Sequence, residues 1–148
     1  MSTDAAITKS LLTTLADGCE GFAKGADKLE GSDRADLAQT FRGFSQQRAG
    51  FAAELEQIAQ TYGDDLSESG SVAGTLHRGW MTLKDALSGS DPDGVLDAAE
   101  QGEDHAVKEY NEALKADISV PLRAIIERQA AQVHATHDRV RALRNAAA

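Results

Sequence analysis

The chain has 148 residues, 41% of them hydrophobic and 26% charged, with one cysteine and two prolines. A core can be buried at this length without disulfides or metals, and Cys19 alone excludes an internal disulfide. A formal net charge of -9 argues against nonspecific binding to nucleic acid or to anionic membranes. Abundant Ala, Leu, Glu and Gln with few breakers predict an all-α fold, read as a single domain over residues 1–148. The opening MSTDAAITKS carries Asp4 and no long apolar core, and no run approaches the roughly 18 apolar residues of a membrane span. A cytoplasmic protein is the expectation.

The first helix is predicted over about 4–29, with the stripe Ile7, Leu11, Leu15, Cys19, Phe22, Ala26 and Leu29. The turn EGSDR follows, where Gly31 can end one helix and Ser32 or Asp33 can cap the next. The second helix, about 34–62, carries Leu37, Phe41, Phe44, Phe51, Leu55, Ile58 and Tyr62 at steps of four and three, broken by one gap. The residue in the gap is Arg48.

After GDDLSESGS, the residues Val72, Leu76, Trp80, Leu83 and Leu87 predict a shorter helix over about 71–88. SGSDPDG then breaks the chain, and Asp91 and Pro92 can start a helix over about 92–115. It turns Leu96, Ala99, Glu103, Ala106, Tyr110 and Leu114 inward. The last helix, about 120–145, carries Leu122, Ile126, Gln129, Val133, His137 or Thr136, and Val140.

Short turns make two antiparallel hairpins, and the roughly thirty residues between them can carry the chain back along the bundle. The expected architecture is a four-helix bundle with a long helical crossover between the second and third long helices. That is the ferritin-like arrangement.

The segments RAGFAAEL, GSVAGTLHRGW, EQGEDHAVKEY and ERQAAQVHATHDRVRAL resemble a bacterial family of uncharacterised ferritin-like four-helix-bundle proteins, a domain of unknown function. The resemblance implies the fold and no established activity. Di-iron members of the superfamily take a Glu from each of two helices and a Glu-x-x-His from each of the other two. By that pattern Glu103 and Tyr110 match the single Glu and its aromatic. On the first helix Leu15 stands where the Glu would be, with Glu20 on the flank. Arg48 and Phe51 fill the Glu-x-x-His places of the second helix, and His134 and His137 those of the last.

The leading expectation is therefore a non-catalytic bundle that holds no cofactor, its di-iron site replaced by a core pair of Arg48 and Glu103. The guanidinium would supply the positive charge that metals supply in the relatives, and a buried carboxylate demands such a partner. The bland alternative lets Arg48 snorkel out from the stripe edge. The competing function is a metal-binding or ferroxidase-like protein holding iron or manganese through Glu103, His134 and His137, with Glu20 or Glu127 added by a shifted register.

HRGW offers His77, Arg78 and Trp80 as a protein-partner surface, against a structural reading in which Trp80 packs the crossover. His105 is expected to face solvent, and Cys19 to fill the core. Association into a homodimer through helix faces is the expected assembly. The acidic runs lack calcium-loop spacing, and no P-loop, nucleophile elbow or dinucleotide fingerprint occurs.

Overall fold

The computed structural model describes residues 3–62 and 92–147. The crossover helix expected over 71–88, and with it His77, Arg78 and Trp80, lies outside the described residues. Among the described residues there are four long helices and no strand: α1 (Thr3–Gly31), α2 (Ala35–Ala59), α3 (Pro92–Lys115) and α4 (Val120–Ala147). A 3-10 turn, Gln60–Tyr62, extends α2. With 24 to 29 residues each, the helices are on the order of 40 Å long. None of them is long and apolar enough to cross a membrane.

The apolar stripes collect into two clusters at opposite ends of the bundle. One joins Leu11 and Leu15 of α1 to Leu55 of α2, Tyr110 of α3, and Leu122 and Ile126 of α4. The other joins Phe22 and Leu29 to Leu37, Phe41, Leu96 and Val140. The early part of α1 thus lies level with the late parts of α2 and α3 and the early part of α4. It follows that α1 and α4 run one way, and α2 and α3 the other. The chain is an all-α four-helix bundle. α1 packs against α2 and α3, and α4 packs against α3 and more lightly against α2. α2 and α3 therefore stand on one diagonal of the bundle.

Local chemistry sets the ends and the close approaches. The left-handed residue of the α1–α2 turn is Asp33, at φ 62°, rather than Gly31. A short polar side chain tolerates that conformation. Neither Ser32 nor Asp33 caps α2: Ser32 Oγ donates back to Lys28 O at 3.0 Å, and Arg34 precedes the helix without a side-chain cap. Asp4 accepts a hydrogen bond from Ser119 N at 2.9 Å, tying the start of α1 to the α3–α4 turn. Gly25 of α1 is a requirement of packing, because a Cβ there would sit 3.0 Å from the Phe41 ring. That ring is already held edge-on by Phe22, with centroids 5.2 Å apart.

α1 buries far more than the one predicted stripe. Thr8, Leu12, Thr14, Asp17, Gly18, Gly21 and Gly25 are enclosed as well. Cys19 is only half-buried, at the α1–α2 seam, where Ser45 Oγ donates to Cys19 O at 2.7 Å. His105 is half-buried rather than solvent-facing and lies 3.4 Å from Glu109 on the next turn of α3.

Candidate functional site

Arg48 sits near the middle of α2, at the level where the two apolar clusters part. Its side chain and that of Glu103 on α3 are both 0% exposed. Arg48 Nη1 donates to Glu103 Oε1 at 2.8 Å, and Arg48 Nη2 donates to Glu103 Oε2 at 2.6 Å. The planar fork thus meets the carboxylate with two parallel charge-assisted hydrogen bonds, the strongest geometry open to an ion pair. The snorkelling alternative requires a solvent-reaching guanidinium, and this one is enclosed.

Two features let a long cation lie in the core, its stem packed against Gly18 of α1, where a Cβ would be in ordinary contact at 3.5 Å from Arg48 Cγ. The guanidinium carbon lies 5.5 Å from the centroid of the Phe22 ring, a cation–π distance. Nε faces Gln47 Oε1 at 3.4 Å, and the same oxygen accepts from Thr136 Oγ1 of α4 at 3.1 Å. Burial pushes the Glu103 carboxyl above its usual range, against the downward pull of the Arg48 charge and hydrogen bonds.

A second polar network lies toward the other end of α3. Tyr110 Oη donates to Gln129 Oε1 at 2.7 Å, and Gln129 Nε2 donates to Glu54 Oε1 at 2.8 Å. Arg128 pairs with the other oxygen of Glu54. Three helices are joined through one buried amide. Partial burial raises the Glu54 carboxyl, but the hydrogen bonds from Gln129 and Arg128 outweigh it and hold the group below its usual range. Burial pushes the Tyr110 phenol up. Gln129 was visible in the sequence only as a polar residue on an apolar stripe, and Glu54 gave no signal at all.

The histidines go elsewhere. His137 Nε2 lies 2.5 Å from Asp104 Oδ1, and its Nδ1 3.4 Å from Asp138 Oδ1. His134 is exposed and faces Asn111 Oδ1 at 3.4 Å. Glu103, His134 and His137 are not gathered around one point, and among the described residues no group of three or more His, Cys, Asp or Glu forms a metal cage. Glu20 is exposed and paired with Lys24, and Glu127 is exposed. The residues present do not fit a di-metal centre: a fixed guanidinium fills the space beside Glu103, and both oxygens of that carboxylate are engaged by it. Asp17 of α1 is enclosed too, at 3% exposure, and its Oδ2 takes no hydrogen bond among the described residues.

Fold and site together define an all-α four-helix bundle whose midpoint is closed by an ion pair between diagonal helices. Residues 6–116 match the family model described as "Domain of unknown function (DUF2383)". The chain belongs to that family. The match takes in α2 and α3 with both members of the pair. No curated protein matches the chain.

Proposed function

We propose that this protein is a non-catalytic, ferritin-like bundle in which the Arg48–Glu103 ion pair takes the place of a di-iron site. On this reading it works through its surface in the cytoplasm, as an interaction or stress-associated protein. The observation that carries the proposal is the bidentate pair at zero exposure. A permanent cation spends its charge on the fully buried Glu103 carboxylate, so neither group is left to bind a metal, move a proton or attack a substrate. What remains chemically open is the outer surface of the bundle; the HRGW segment with Trp80 and Arg78, offered by the sequence as a partner surface, lies outside the described residues.

The competing reading keeps a weak metal site around Glu103 and His137. The two part on metal content, measured by elemental mass spectrometry on untagged protein from iron-supplemented medium, purified without chelators. No stoichiometric metal is the expected result. Two iron or manganese ions per chain would overturn the proposal and direct attention to oxygen reactivity.

A further inference from the structure

Charge is shared unequally among the four helices. α4 carries five arginines against Glu127 and Asp138, whereas each of the other three has more carboxylates than cations. α3 lies at the opposite extreme, with seven carboxylates against Lys108 and Lys115. In a chain of net charge -9, α4 is thus the one described helix of opposite sign to the rest, and α3 is the helix it packs against most.

The attraction is realised in pairs spread along the helix. Arg123 donates to Leu114 O at 2.7 Å and to Ala116 O at 2.8 Å, at the negative end of α3. Arg128 pairs with Glu54 of α2, and His137 meets Asp104. Farther on, Arg144 Nη1 lies 3.1 Å from Glu100 Oε1 and 3.7 Å from Asp97 Oδ1, with Arg141 Nε 3.9 Å from the other Glu100 oxygen. The side chains of Arg128, Arg141 and Arg144 are all at least 39% exposed, so salt reaches their pairs.

The apolar seam of α4, by contrast, is interrupted. Leu122, Ile126, Val133 and Val140 are fully buried, but the inward positions between them hold Gln129, Thr136 and His137. Those side chains bring hydrogen bonds in place of apolar area, and apolar burial is the attraction that salt does not screen.

We propose that α4 is a strap held to the bundle largely by charge: it opens as a unit ahead of α1, α2 and α3, and ionic strength sets how often. Opening takes Gln129 from Tyr110 and Glu54. It also takes Thr136 from Gln47, the residue that faces Arg48 Nε, and so loosens the surroundings of the buried pair. This goes beyond the role proposed for the Arg48–Glu103 pair and holds whether or not that pair stands in for a metal centre.

The test is native-state hydrogen exchange of the full chain, read by mass spectrometry on peptides, at about 0.05 M and about 1 M NaCl. Peptides of α4 should exchange faster than those covering Leu11 to Phe22 of α1. They should speed up by about tenfold at the higher salt, as the exposed pairs are screened. Peptides of α1 should hold steady or slow, because the same salt relieves repulsion within an acidic protein. Glu100→Gln should speed α4 at low salt and blunt its response to salt, although it makes the chain less negative. Arg139→Gln, at an exposed position of α4 that belongs to none of these pairs, should leave the difference between α4 and α1 unchanged. Exchange of α4 in step with α1, or a slowing of both by salt, would overturn the proposal. Exchange of α4 indifferent to Glu100→Gln would show that charge is not what holds the helix, and would overturn it equally.

Discussion

Arg48 and Glu103 meet across the diagonal of the bundle, 55 residues apart in the chain, through two hydrogen bonds of 2.8 and 2.6 Å. Neither α1 nor α4 supplies a second charge to this pair's hydrogen bonding. The neutralisation is mutual, and the stability of each ion depends on the presence of the other.

Removing one partner strands the other in a low-dielectric core. Arg48→Met or Glu103→Leu should each destabilise the fold by about 3–5 kcal/mol. The double variant, which strands neither member of the pair, should lie within about 1–2 kcal/mol of the parent, because its apolar side chains approximate the lost volume. Urea unfolding of the four proteins closes the cycle. Additive single losses would show that the two residues act separately.

The same pair fixes the sign of a pH effect. Burial raises the Glu103 carboxyl above the ordinary carboxylate range, and Arg48 opposes that rise. In Arg48→Met the opposition is gone, so the folded-state value climbs further. A carboxyl raised in the folded state contributes stability that is complete below its unfolded value and lost as pH rises through its folded value. The deficit of Arg48→Met relative to the parent should therefore be small near about pH 5 and larger near about pH 8. Unfolding midpoints across that range decide it. A deficit that does not grow with pH would assign the loss to packing instead.

Tyr110 and Gln129 make a second, gentler case. Tyr110→Phe keeps the ring and removes the donor to Gln129 Oε1, leaving a buried amide oxygen unpaired. The expected cost is about 1–3 kcal/mol, and pairing Tyr110→Phe with Gln129→Leu should recover part of it. Here the recovery is limited, because Gln129→Leu also removes the donor to Glu54. A Tyr110→Phe protein as stable as the parent would show that water satisfies the amide.

Much of this molecule was legible in one dimension. Residues Leu37, Phe41 and Leu55 repeat at helical spacing, and that repeat alone places them in the core. The oddity of Arg48 was equally plain, since a cation on an apolar stripe breaks a local rule. Glu103, Gln129 and His137 could be picked out in the same way. The breadth of the α1 buried face was not legible, because Thr14, Asp17, Gly21 and Gly25 carry no apolar signal. Nor were the partners of His105 and Asp104 visible.

Helix positions, helix faces and the presence of polar residues on those faces are properties of neighbours in the chain, so the sequence by itself determined them. Which polar group answers which is decided by the axial register and rotation of one helix against another. Those depend on the summed packing of residues distant in the chain, such as Gly25 against Phe41 and Gly18 against Arg48. Only the tertiary structure set Arg48 and Glu103 at one level with forks aligned, and turned His137 to Asp104 instead. A shift of one helix by a single turn, about 5.4 Å, would leave the stripes intact and separate every one of these pairs.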